Sequence, residues 1–206
     1  MLLKATTVTN LTDARYYAAK EVDYLGFNLE EGTEGYLDPM YMKAIREWVA
    51  GPQIVGEFSQ MPGTHVAAAA EFLNLDVVQL SAKKHLADLS LFSGLDIILH
   101  IDARQEPGII EEIFRTAAPH ITCFLLDFSE STNWEFVLYQ DTAIWNECFE
   151  LRPTMLQANF SPAQLPMLFK KLNLAGLSLL GAEEEQVGVK SFDEIEEIFE
   201  AIEGLF

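Results

Sequence analysis

Short apolar stretches of four to eight residues recur along the chain, and each is trailed by a segment with helical spacing. The first runs from Leu2 to about Val8, and a helix from Thr12 to Glu21 follows with Ala14, Tyr17, Ala18 and Val22 on one face. Tyr24–Leu29 is the second strand. Asp38-Pro39 then gives an N-cap and first helical turn for a helix to Val49. Gln53–Phe58, after the Gly51-Pro52 break, is the third strand, and Thr64 caps a helix over Val66–Leu73.

The pattern continues with a strand over Asp76–Leu80, a helix over His85–Phe92 and a strand over Asp96–Asp102. A helix from Pro107 to Ala117 leads to a strand over Ile121–Phe128, and one long aromatic-rich helix spans Trp134–Phe149. Aromatics at that spacing imply that it packs on the core. Thr154–Ala158 and Ala175–Leu180 are the last two strands. Ser161-Pro162 and Ser191-Phe192 open helices to Leu172 and Ile202.

Eight strand–helix units in 206 residues, without a linker or a break in composition, predict one domain over residues 1–206. Alternating strands and helices pair in parallel, and eight of them close into a (β/α)₈ TIM barrel, an α/β fold. The alternative is an open doubly wound sheet. That arrangement binds nucleotides through a glycine-rich first turn, and Thr6-Thr7-Val8-Thr9-Asn10 is not one.

Composition narrows the partners. A net charge of −19 argues against nucleic acid and anionic membranes, since phosphates need clustered Lys and Arg. Much of the acidic excess lies in the last 24 residues, where it reads as a solvated helix face. No apolar run is long enough to span a bilayer, and the first residues lack a signal-peptide pattern, so a cytoplasmic location is expected. Cys123 and Cys148 match no zinc spacing and read as structural.

In a barrel of this type the site lies at the C-terminal ends of the strands. The polar residues there include Thr6, Thr9, Asn28, Glu57, Gln79, Ser81, His100, Asp102, Asp127, Gln157 and Asn159. Asp127 stands out because it closes the apolar run Phe124-Leu125-Leu126, where an unpartnered carboxylate is costly. A carboxyl there could act as general acid or base. Glu57, His100, Asp102 and Asp127 could converge on a divalent cation, but no local spacing supports that, and neither metal nor cofactor is expected. The loops after strands seven and eight lack the paired glycines of a phosphate cradle, and Glu183, Glu184 and Glu185 follow the second.

The chain resembles the phosphoribosylanthranilate isomerase family. Lys4-Ala5-Thr6-Thr7-Val8-Thr9-Asn10 is similar to its Lys-Ile-Cys-Gly-Ile-Thr-Asn opening, and Asp23-Tyr24-Leu25-Gly26-Phe27 to its second strand. Tyr36-Leu37-Asp38-Pro39, Val55-Gly56-Glu57-Phe58, Leu75–Leu80, Leu125-Leu126-Asp127 and Gly188-Val189-Lys190 also match in order. The resemblance implies a barrel catalysing an Amadori rearrangement of an aminoaldose to an aminoketose in tryptophan biosynthesis. It implies a Cys base at position 6 and an Asp acid at position 127.

The base position holds Thr6, whose hydroxyl is too weakly acidic for that role. The family's substrate-binding Arg is Gly35, its fourth-strand His-Gly is Ser81-Ala82, and its strand-eight Asp is Leu177. The Gly-rich loop after Asp127 is replaced by Phe128–Asn133, the Gly-Gly after strand seven by Ala158-Asn159, and the Ser-Ser-Gly loop by Leu179-Leu180-Gly181. Three readings follow: a diverged relative binding a small molecule at the barrel mouth, an inactive barrel acting on a protein partner, or a working isomerase with Asp127 and a substitute base. The sequence fixes no oligomeric state.

Overall fold

A computed structural model describes residues 1–131, 133–180, 184–186, 189–190 and 192–205. Eight parallel strands close into a barrel in sequence order. They are β1 (Leu2–Thr6), β2 (Tyr24–Asn28), β3 (Gln53–Phe58), β4 (Val77–Ser81), β5 (Asp96–Asp102), β6 (Cys123–Asp127), β7 (Thr154–Gln157) and β8 (Gly176–Leu180). The ring closes where β1 pairs with β8 from Leu2↔Gly176 to Thr6↔Leu180. Gly176 permits that seam, because a Cβ there would stand 1.8 Å from the Leu2 carbonyl oxygen. The expected (β/α)₈ barrel is what forms.

The helices between strands are α1 (Leu11–Ala19), α2 (Pro39–Arg46), α3 (Gly63–Leu73), α4 (Ala82–His85), α5 (Pro107–Ala117), α6 (Trp134–Gln140), α7 (Thr142–Leu151), α8 (Leu165–Lys171) and α9 (Asp193–Glu203). Asp38 caps α2 as its sequence predicts, accepting from Met40 and Tyr41 N–H. At α1 the cap is Asn10, two residues before Thr12; its side chain accepts from Asp13 N–H at 2.9 Å. At α3 Pro62 precedes the helix and no side chain caps it, so Thr64 lies inside.

Other boundaries also differ from the pattern. β1 ends at Thr6 because Thr7 turns into the left-handed region, with φ 52°. The expected helix over His85–Phe92 is the single turn α4 plus a 3-10 turn at Leu89–Phe92. The expected long helix breaks at Asp141, whose side chain caps α7 by accepting from Ile144 N–H at 3.3 Å. Most of its aromatics pack inward, with Trp134, Trp145 and Phe149 buried, while Phe136 is exposed. A 3-10 turn over Pro162–Gln164 precedes α8, and a short antiparallel pair, Glu184–Gln186 with Val189–Lys190, precedes α9. Ser191, the expected start of that last helix, Gly188 and the Gly181–Glu183 loop lie outside the described residues.

Apolar side chains fill two regions. The larger lies between barrel and helices; the smaller fills the barrel interior with Tyr24, Val55, Val77, Ile98, Cys123, Leu125 and Met155. Strand alternation therefore leaves the upper interior to polar residues of the same parity. No described helix is long and apolar enough to cross a membrane.

Candidate functional site

The C-terminal strand ends line a cavity of about 290 Å³. Of the residues picked from sequence, Thr6, Asn28, Glu57, Gln79, Ser81, His100, Asp127 and Gln157 line it. Thr9, Asp102 and Asn159 lie outside that lining. Asp102 instead holds the exposed Arg104 guanidinium at 2.7 Å, and exposed Asn159 donates to the Ser129 carbonyl at 3.3 Å.

One wall is a buried charged network joining β1 to β3. Lys4 is fully buried, and its ammonium donates to Glu57 and Thr6. Glu57 Oε1 also accepts from the Thr6 hydroxyl at 2.6 Å. Its Oε2 accepts from the Thr7 N–H and the Thr7 hydroxyl, each at 3.1 Å. Burial alone pushes a carboxyl up. At Glu57 the Lys4 charge and the threonine donors outweigh it and hold the carboxyl below its ordinary value. At Lys4 the loss of water outweighs Glu57, and the ammonium is pushed down. Gly26 belongs to this wall, since a Cβ there would meet Glu57 Oε1 at 2.0 Å.

The opposite wall is built on β5 and β6. His100 Nε2 lies 2.9 Å from Asp127 Oδ2, and Asp127 Oδ1 accepts from Ser129 N–H at 2.8 Å and its hydroxyl at 2.6 Å. Burial raises the Asp127 carboxyl, but His100 and Ser129 outweigh it and leave it below the ordinary aspartate value. Gln157 on β7 is buried, and its Oε1 accepts from the Ser178 hydroxyl at 2.9 Å. On β4, the Gln79 side chain makes no hydrogen bond among the described residues, and its Oε1 is closed from solvent.

Sequence reasoning passed over Lys4 and Ser129, whereas Thr7, in the polar exit of the first strand, was expected to help line a site and does. Lys4 was detectable: a lysine two residues before Thr6 in an apolar strand shares its inward parity. Ser129 carried no such signal, because it acts through a turn.

A model of the N-(5′-phosphoribosyl)anthranilate isomerase family matches residues 3–201. The chain belongs to that family. Solved structures agree on the fold. The isomerase of Thermotoga maritima superposes with a TM-score of 0.78 at 19% identity, over 100% of both chains. The isomerase of Thermus thermophilus gives 0.75 at 22%, also over 100% of both. A family isomerase in complex with reduced 1-(o-carboxyphenylamino)-1-deoxyribulose 5-phosphate gives 0.77 at 19% over 100% of both. No curated protein sequence matches the chain.

Asp127 and Thr6, where the sequence resemblance expects the acid and the base, both line the cavity. Neither cysteine stands in elsewhere. Cys123 is buried in the barrel interior with its thiol pushed up to about 12, and Cys148 sits on α7, pushed up to about 11 by burial. Among the described residues no group of three or more His, Cys, Asp and Glu is arranged to hold a metal.

Proposed function

We propose that this chain is a diverged family member that binds a small, non-phosphorylated polar molecule in the cavity and does not run the family's isomerisation. The observation that carries this reading is the state of Asp127. Ser129 donates to it twice and His100 Nε2 lies 2.9 Å from its Oδ2, and together they favour its ionised form. A general acid must instead hold a proton near neutral pH. The other half of the proton transfer lacks its thiol, because Thr6 spends its hydroxyl on Glu57.

Charge supports the same reading. The cavity lining includes Glu34, Glu57 and Asp127 and no Lys or Arg among the described residues. Lys4, beneath it, is consumed by Glu57. A phosphate dianion would meet three acidic residues and no Lys or Arg among the described lining residues.

A second reading has one observation in its favour. The Glu57 carboxylate stands 2.6 Å from the Thr6 hydroxyl, so a carboxylate lies beside the position of the expected base. On that reading the chain is an isomerase with Glu57 as substitute base. Its lowered pKa makes Glu57 a weak one.

A thermal-shift panel of soluble metabolites, run beside growth of an isomerase-deficient tryptophan auxotroph carrying this chain, tests the proposal. Stabilisation by a non-phosphorylated compound without growth rescue is expected. Growth rescue would overturn it in favour of the second reading, and a panel without any stabilising compound would remove the binding function.

A further inference from the structure

The hydrogen-bond inventory around the cavity divides its lining into spent and unspent groups. Two charged groups, Glu57 and Asp127, are spent. Glu57 accepts from Lys4, from the Thr6 hydroxyl and twice from Thr7. Asp127 accepts twice from Ser129 and lies against His100. Asn28 is also closed: its amide donates to the Thr33 hydroxyl and the Glu34 carbonyl, and its oxygen accepts from Glu30 N–H.

The unspent groups on β4 and β7 are neutral. Gln79 uses neither end of its amide among the described residues, and its Oε1 is shut away from water without a donor. A buried amide oxygen left without a partner is costly. Rotation about the terminal side-chain bond turns either end of the amide toward the cavity. Ser81, on the same face of β4, offers a hydroxyl with no side-chain hydrogen bond. Gln157, on β7, uses its oxygen on Ser178 and keeps its NH₂. The remaining wall includes apolar Phe58 and Leu180.

Amide and hydroxyl groups each donate and accept, and the ligand group that answers both at once is another hydroxyl. An anion meets three acidic residues and no Lys or Arg among the described lining residues, and an ammonium finds the Glu57 and Asp127 oxygens already engaged. The volume of about 290 Å³ is at the lower end for ligand sites, enough for a single sugar ring or a short polyol. We infer that the cavity recognises a neutral polyhydroxylated molecule, a monosaccharide or polyol without phosphate, held by Gln79 and Ser81 on one side and Gln157 on the other. This rests on the non-phosphorylated binding reading above and names the ligand class.

Titration calorimetry on the full chain tests it, with D-ribose, D-xylose, D-glucose and ribitol as probes. Ribose 5-phosphate and ethanolamine serve as the anionic and cationic counter-probes. At least one neutral probe should bind, and ribose 5-phosphate should bind at least tenfold more weakly than ribose. Gln79→Leu should weaken the neutral probe at least tenfold. Should that variant fail to fold, Ser81→Ala provides the second test, with a loss of at least threefold.

Failure of every neutral probe to bind overturns the inference, as does unchanged affinity in a folded Gln79→Leu or in Ser81→Ala. Binding of ethanolamine alone overturns it but leaves the non-phosphorylated reading standing. Tighter binding of ribose 5-phosphate overturns both.

Discussion

Thr7 Cγ2 lies 2.3 Å from where a Cβ on residue 35 would stand, so the threonine side chain occupies space that only glycine leaves open there. Both residues have left-handed backbones, Thr7 at φ 52° and Gly35 at φ 72°. The resemblance read from the sequence expects Gly at position 7 and Arg at position 35, so two departures from that expectation meet in one contact. A β-branched residue at positive φ is strained, and the two bonds from Thr7 to Glu57 Oε2 offset part of that cost.

Coupling between the two positions follows. Gly35→Ala should lower stability by roughly 2 kcal/mol, through the steric clash and the unfavourable φ together. Thr7→Gly combined with Gly35→Ala should recover the steric share. Urea denaturation of the two singles and the double gives the cycle, and additive losses would show that the contact carries no energy.

The Lys4–Glu57 pair sets a second expectation. Removing one partner leaves the other charge buried alone, so Lys4→Met should cost about 3–5 kcal/mol. Gly26→Ala should also destabilise, by forcing the Glu57 carboxylate off the ammonium. Replacing both members, Lys4→Met with Glu57→Leu, should cost less than Lys4→Met alone. Chemical denaturation at neutral pH compares them.

Acid should weaken the fold through Glu57 and Asp127. Each has a folded pKa below its unfolded value, so each contributes stability that is full above the unfolded pKa of about 4. That contribution is lost as pH falls through the lower folded value. Asp127→Asn should therefore be less stable than the native chain at pH 7 and converge on it in strong acid. Urea midpoints measured between pH 7 and pH 2 follow the two curves.

Neither thiol should react in the folded chain. Alkylation by iodoacetamide at neutral pH should leave Cys123 and Cys148 unmodified, because both are buried and both thiols are pushed far above neutrality. In urea both should be modified. Mass spectrometry reads the difference, and rapid labelling of the folded protein would return a thiolate to the list of bases.

The barrel was legible because local signals agree with it. Apolar strands such as Ile97–Ile101 and helix signals such as Asp38-Pro39 repeat eight times, and parallel closure is their shared solution. The breaks were not legible where a single residue decides them. Asp141 splits one amphipathic run by capping the second half, although the run's aromatics read as continuous.

At the site, Asp127 and Glu57 could be picked because charge at the end of an apolar strand is costly alone. Their partners could not. Ser129 reaches Asp127 from within a turn, and Lys4 reaches Glu57 across 53 positions of sequence. Only closure of β1 onto β2 and β3 brings that second pair together.

The central claim is that the scaffold persists without the isomerisation. The direct measurement is the rate at which the purified chain consumes N-(5′-phosphoribosyl)anthranilate, followed by loss of anthranilate fluorescence, with a working family isomerase as control. The native chain and Thr6→Cys should both remain at background, because Asp127 stays ionised and the lining stays anionic in each. Turnover by the native chain that Glu57→Gln abolishes would contradict the account and assign Glu57 as the base.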